Sequence, residues 1–190
     1  MLTVKEKQNK AFEALKETLG VKNPMAVPRV SKVIVSVGTG SAKDKNKIEV
    51  IQDRLMKITG QKPAGRVAKK SIASFKLREG QVIGYQITLR GDRMYDFLDR
   101  LINIALPRTR DFRGIERDSI DPMGNITIGI KEHTIFPETA DEEIRDVFGL
   151  AVSIVTTAKN KETAEKYLEY IGIPFKKAGE VKAKKTPAKK

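Results

Sequence analysis

The chain has 190 residues, a formal net charge of +13 and no cysteine. The missing thiols exclude disulfides, thiolate metal sites and cysteine nucleophiles, and a hydrophobic content of 39% suits one modest domain. No apolar run approaches the roughly 20 residues of a membrane-spanning helix, and the start, MLTVKEKQNK, lacks a signal-peptide core. The sequence therefore predicts a soluble intracellular protein.

Thr3 to Leu19 reads as a helix. Thr3 and Glu6 have capping-box spacing, Val4, Ala11, Phe12, Leu15 and Leu19 share a face, and Gly20 supplies a left-handed stop. Val30 to Val37 alternates as a strand, with Val33, Val35 and Val37 on one side and Lys32, Ile34 and Ser36 on the other. Gly38-Thr39-Gly40 breaks it. Ser41 and Asp44 open a second helix, carried by Ile48, Ile51, Leu55 and Ile58 and closed by Gly60.

A short strand falls within Gln61–Ala68, and Lys69–Gly80 is a loop or hairpin tip. Gln81 to Arg90 is the clearest strand: Ile83, Tyr85, Ile87 and Leu89 form an apolar face, and Gly84, Gln86, Thr88 and Arg90 a polar one. Asp92 caps a helix with Met94, Leu98, Leu101 and Ala105 on its buried stripe, and Pro107 ends it. Thr109–Met123 is a charged, irregular loop. Ile126, Ile128 and Ile130 mark a strand, Phe136–Gly149 is acidic, Val152–Thr157 is a last strand and Asn160–Ile171 a last helix.

The order α-β-α-β-β-α-β-β-α, with one polar sheet face, predicts an α+β fold. Its sheet is mostly antiparallel, with helices packed on one face and the other open. We expect a single domain over 1–175, followed by a basic tail over 176–190 that is disordered.

The charge is concentrated. Gly60 to Arg93 carries eight basic residues against two acidic ones, and Lys176 to Lys190 carries seven lysines against one glutamate, so the rest of the chain is near neutral. Positive charge gathered on a folded segment points to a phosphate-rich partner.

Catalytic motifs are absent. Gly38-Thr39-Gly40 has Lys43 where a dinucleotide fingerprint needs its third glycine, and there is no GxxxxGK[ST] loop. The one histidine, His133, reads as an ordinary exposed or half-buried side chain rather than a zinc ligand. Asp141, Glu142 and Glu143 read as a solvated helix start rather than a metal site. Neither a metal nor a cofactor is expected. An RNA-acting enzyme would need a nucleophile or metal cluster that the sequence does not offer, and a free RNA chaperone would bind many RNAs alike.

Two features favour RNA. Gln86, Thr88 and Arg90 stand in a row on one strand face, at a fixed spacing suited to phosphates and 2′-hydroxyls. The loop Lys69-Lys70-Ser71-Ile72-Ala73-Ser74-Phe75-Lys76-Leu77-Arg78 is basic with one aromatic, and Phe75 either stacks on a base or ribose or pins the loop to the core.

GQKP, AKKSIASFKLREG, IGYQITLRGDRMYDFLDRLINIALPRTRDFRG, GIKEHTIFPE and IVTTA, in this order, resemble the bacterial form of the large-subunit ribosomal protein family that binds 5S ribosomal RNA, number five in that subunit's naming. The similarity runs from about Thr3 to Phe175. It implies a cytoplasmic protein of the ribosome whose concave sheet face binds 5S rRNA and helps attach it to 23S rRNA in the central protuberance, beside neighbouring proteins there. On this resemblance the RNA contacts are Lys32, Ser36, Gln61, Lys62, Phe75, Gln86, Thr88 and Arg90.

The resemblance further implies that Lys69, Lys70, Ser71, Lys76 and Arg78 approach the elbow of the P-site tRNA. Arg108, Arg110, Asp111 and Arg113, with Glu138, Asp141 and Glu142, would lie toward a bridge to a small-subunit head protein. No membrane partner is implied. The chain departs from the family pattern at Ser36, where asparagine is usual, at Ala151, where an aspartate is lost, and at Asp121-Pro122-Met123-Gly124-Asn125, which loses a basic group and gains a stiffer turn.

Overall fold

A computed structural model describes residues 2–40, 45–139 and 147–176. Its elements follow the predicted order: α1 (Val4–Leu19), β1 (Val30–Gly38), α2 (Lys45–Thr59), β2 (Ala64–Val67), β3 (Val82–Leu89), α3 (Asp92–Arg100), β4 (Ile126–Ile130), β5 (Leu150–Thr156) and α4 (Lys161–Ile171). The strands form one antiparallel sheet in the order β2-β3-β1-β5-β4. The long β2–β3 connection is the hairpin tip, and the fold is α+β.

Alternation along the strands builds the core. Leu89, Val33, Ile154 and Ile126 pair in one cross-strand row, and Ile87, Val35, Val152 and Ile128 in the next. All eight are buried and join the apolar faces of the four helices in one cluster. β-branched and leucine side chains pack well on a pleated, half-buried surface. The sheet's other face carries only half-buried or exposed side chains, apart from Gly84.

The first helix is fixed as its sequence foretells. Thr3 Oγ1 accepts the Glu6 N–H, the Glu6 carboxylate accepts the Thr3 N–H, and Gly20 turns left-handed at φ 63°. Long-range bonds then lock α1 in place. Asp99 accepts the Val4 N–H, Lys7 donates to the Ile171 carbonyl at the end of α4, and Tyr167 Oη accepts the Val30 N–H while bonding to Gln8. Burial pushes the Tyr167 phenol well above its usual value.

Three expectations need correction. Asp92 does not cap α3: Gly91 holds the cap position, and Asp92 instead pairs with Lys5 at 2.7 Å, which holds the Lys5 ammonium above its ordinary range. Pro107 does not end this helix, which continues from Arg100 through a π-wound segment, Leu101–Ala105, into a last turn, Leu106–Arg108. Proline lacks the N–H for a normal helical bond and crowds the carbonyl four residues back; the wider winding, in which the Leu106 N–H reaches the Leu101 carbonyl, accommodates it.

His133 is neither exposed nor half-buried. It is 1% exposed, stacks on Phe148 at 4.2 Å between ring centres, and accepts the Phe148 N–H at Nδ1. The predicted helix-opening pair, Ser41 and Asp44, lies outside the described residues, as do Asp141 and Glu142.

Candidate nucleic-acid interface

β1 is the central strand, so its outward side chains set the middle of the open face. Ser36 pairs with Gln86 on one side and Ala151 on the other, and the row extends to Ala64 of β2 and Gly129 of β4. Apart from Gln86, this row is a floor of small side chains across the whole sheet. The next row, Thr88, Ile34, Ser153 and Thr127, offers hydroxyls, two of which bond to each other (Thr127 Oγ1 to Ser153 Oγ, 2.9 Å). Continuing the register one step sets Lys32 opposite Arg90.

That last pair is informative. Like charges directly opposite on neighbouring strands destabilise a sheet, and among the described residues neither Lys32 nor Arg90 has an acidic partner. A polyanion laid along this end of the face would relieve the repulsion.

Gln86 is held in place. Arg66, on β2, donates from Nε to Gln86 Oε1 at 2.6 Å, which orients the amide and leaves its N–H groups to point elsewhere. In the sequence Arg66 counts as charge alone, because only the β2–β3 register brings it to Gln86. Ser36 Oγ lies 3.5 Å from the Ala151 carbonyl, a weak tie to its own sheet. Gln61 and Lys62 sit on the turn between α2 and β2, beside this face's edge; Thr59 Oγ1 accepts the Gln61 N–H.

The hairpin tip is a second, separate surface. Lys69, Lys70, Ser71, Lys76 and Arg78 are all exposed. Phe75 is 70% exposed, so it does not pin the loop to the core. The tip holds itself instead: Ile72 and Leu77 exchange backbone bonds at 3.1 and 3.2 Å, Ser71 Oγ accepts the Glu79 N–H, and Ala68 is bonded to both Gly80 and Gln81. Lys76 adopts φ 52°, a left-handed conformation unusual for a side chain that is not glycine.

Of the third group, Arg108 ends the last helical turn, Leu106–Arg108, and Arg110, Asp111 and Arg113 follow it on one loop. Glu138 is not free toward solvent: its carboxylate pairs with Arg100, which also donates to the Ile58 carbonyl at 3.1 Å. Among the described residues no cluster of three or more histidine and acidic side chains could hold a metal ion, and no helix is long and apolar enough to cross a membrane.

The open sheet face and the basic, self-supporting finger present cationic surface of the kind that an extended anionic partner binds. Comparison with known proteins makes the class specific. Residues 23–78 match the family model described as ribosomal protein L5, and residues 82–175 match the model of the same ribosomal family's C-terminus. The chain is 50% identical over 164 residues to large ribosomal subunit protein uL5 of Rubrobacter xylanophilus, covering 86% of this chain and 91% of that protein.

It is 49% identical over 179 residues to uL5 of a Thermoanaerobacter species, covering 93% and 100%, and 53% identical over 164 residues to uL5 of Desulfatibacillum aliphaticivorans, covering 86% and 92%. The chain belongs to the ribosomal protein L5 family. It is a structural constituent of the cytoplasmic ribosome and not an enzyme.

Proposed function

We propose that this protein, as part of the large subunit, binds 5S rRNA through the open face of its sheet and helps attach that RNA to 23S rRNA in the central protuberance. The observation that carries the reading is the juxtaposed, unneutralised Lys32 and Arg90 beside the ordered Gln86, Ser36 and Thr88. The cations supply affinity by displacing counterions, while the rigid sheet and its low floor supply the shape match. Phe75 and Lys62 extend the contact beyond the strands.

The hairpin tip, with Lys69, Lys70, Ser71, Lys76 and Arg78, reaches toward the elbow of the P-site tRNA. The loop from Arg108 to Arg113 and the acidic run that begins at Glu138 face a protein of the small-subunit head. Glu138 is engaged by Arg100, so Asp141 and Glu142 supply the charge for the bridge. Residues 1–175 act as one RNA-binding domain, and 176–190 add salt-sensitive affinity.

Arg90→Ala tests the central claim. Arg90 is exposed and has no ion-pair partner among the described residues, so the fold is retained while 5S rRNA binding weakens by about 1–3 kcal/mol. Unchanged binding in a filter assay at fixed salt would refute the placement.

A further inference from the structure

A cleft of about 150 Å³ lies between α1 and the short turn Pro24–Ala26. Asn23 Oδ1 accepts the Met25 N–H and fixes this turn, which leaves Met25 83% exposed, the highest value among the large apolar side chains described. Phe12, half-buried on α1 with the Lys16 ammonium 5.8 Å from its ring centre, lines the cleft together with Met25, and buried Val27 lines it too. The turn thus presents a thioether to the same cleft as an aromatic ring, two surfaces on which a flat apolar group packs well.

The rim is polar, and its cation stands on a fixed backbone. Arg29 lines the cleft, and its backbone is clamped to Thr157 on both sides: its N–H donates to Thr157 Oγ1 at 3.0 Å and its carbonyl accepts the Thr157 N–H at 2.9 Å. No ion pair engages its guanidinium among the described residues. Arg29 stands directly before β1, so the cleft opens onto the same end of the sheet as Lys32 and Arg90. Asn9, on the α1 side, adds an exposed amide.

We infer that this cleft seats one unpaired nucleobase of the bound RNA, stacked between Phe12 and Met25, with its phosphate on Arg29. The inference rests on the RNA reading above and extends its footprint off the sheet. A base has the flat apolar faces that the walls require and hydrogen-bonding edges for Asn9. Its backbone carries the charge that the run from Arg29 through Lys32 to Arg90 would neutralise.

The test measures binding of the full chain, by fluorescence anisotropy at one salt concentration, to a labelled single-stranded RNA of about twelve nucleotides and to a blunt duplex of the same length. Because Met25 is exposed, Met25→Ala keeps the fold, checked by an unchanged melting temperature. Met25→Ala is expected to weaken single-strand binding roughly tenfold and duplex binding by less than about twofold, and Arg29→Gln to weaken both. Equal loss on both RNAs, or no loss with Met25→Ala, overturns the proposal. So does a wild-type dimer in sedimentation that Met25→Ala dissociates, which would assign the cleft to a second copy of the chain.

Arg90→Ala serves as the separate arm. If it leaves 5S rRNA binding intact while Met25→Ala still discriminates single strand from duplex, the sheet reading fails and the cleft stands; the reverse pattern sinks the cleft alone.

Discussion

The open sheet face and the hairpin tip carry the same sign of charge but are built in opposite ways. On the face, Ser36, Gln86 and Thr88 rise from strands that are paired on both sides, and Gln86 is further held by Arg66. At the tip, a few local bonds hold a loop whose apolar residues Ile72 and Phe75 face water. The Ala68 N–H donates to the Gln81 carbonyl at 2.8 Å, and the Gly80 N–H donates to the Ala68 carbonyl at 3.0 Å. A ladder on both sides gives fixed spacing, which suits recognition of one rigid shape. A self-held finger gives reach, which suits contact with a partner that arrives and leaves.

Gly84, where β3 leaves the tip and enters the sheet, is the point at which both regions fail together. A Cβ added there would stand 2.7 Å from the Val37 carbonyl oxygen, a backbone atom in the central strand. Gly84→Ala should therefore destabilise the protein by about 2–3 kcal/mol, read as a fall in the denaturation midpoint, and should weaken every RNA contact with it. Wild-type stability would mean that the β1–β3 pairing yields more easily than its register implies.

Phe75→Ala separates the two regions. The ring is 70% exposed, so stability should change by less than about 0.5 kcal/mol. The 5S rRNA contact that Phe75 adds beyond the strands should weaken by about 1–3 kcal/mol, the loss of one stacked base, while the share of binding carried by Arg90 and the sheet remains. A large stability loss in thermal unfolding would show that Phe75 supports the loop after all.

The sequence announced elements better than it announced partners. Strict alternation at Val33–Val37 and Ile83–Leu89 made both strands and their polar faces legible, since a period of two has one physical meaning beside a core. Arg66 on Gln86, Lys32 opposite Arg90 and Arg100 on Glu138 were not legible. Each depends on a register or a packing angle between segments far apart in the chain. Burial of His133 escaped for a related reason: its shelter is Phe148, 15 residues further along. Pro107 misled because a helix can widen locally to admit a proline when its other face is tied to the core by Leu101, Ile102 and Ala105.

Lys76 offers a smaller effect on the tip alone. Its φ of 52° is strained for lysine and natural for glycine. Lys76→Gly should stabilise the folded protein by at most about 1 kcal/mol, reduced by the greater freedom of glycine in the unfolded chain. The same change removes a cation, so RNA contact through the tip should weaken even as the melting temperature holds or rises. A clear fall in melting temperature would show that the Lys76 side chain supports the loop.

The smallest effect is expected at the sheet's edge, in the Asp121–Asn125 turn before β4. Burial, the largest single effect, pushes the Asp121 carboxyl up, but hydrogen bonds from the Asn125 side chain and from the Asn125, Met123 and Gly124 backbone together outweigh it and hold the group below its ordinary value of 3.8. A lowered folded-state value means that the ionised form favours the native state. The contribution is therefore present above the unfolded value and is lost as pH falls through the lower folded one. Asp121→Asn removes this titration, so the stability gap between wild type and variant, measured by urea denaturation, should narrow on going from about pH 5 to about pH 2.5. A gap that stays constant over that window would mean that these hydrogen bonds do not depend on the charge of Asp121, leaving the turn to be held by Thr156, whose hydroxyl donates to the Gly124 carbonyl at 2.7 Å.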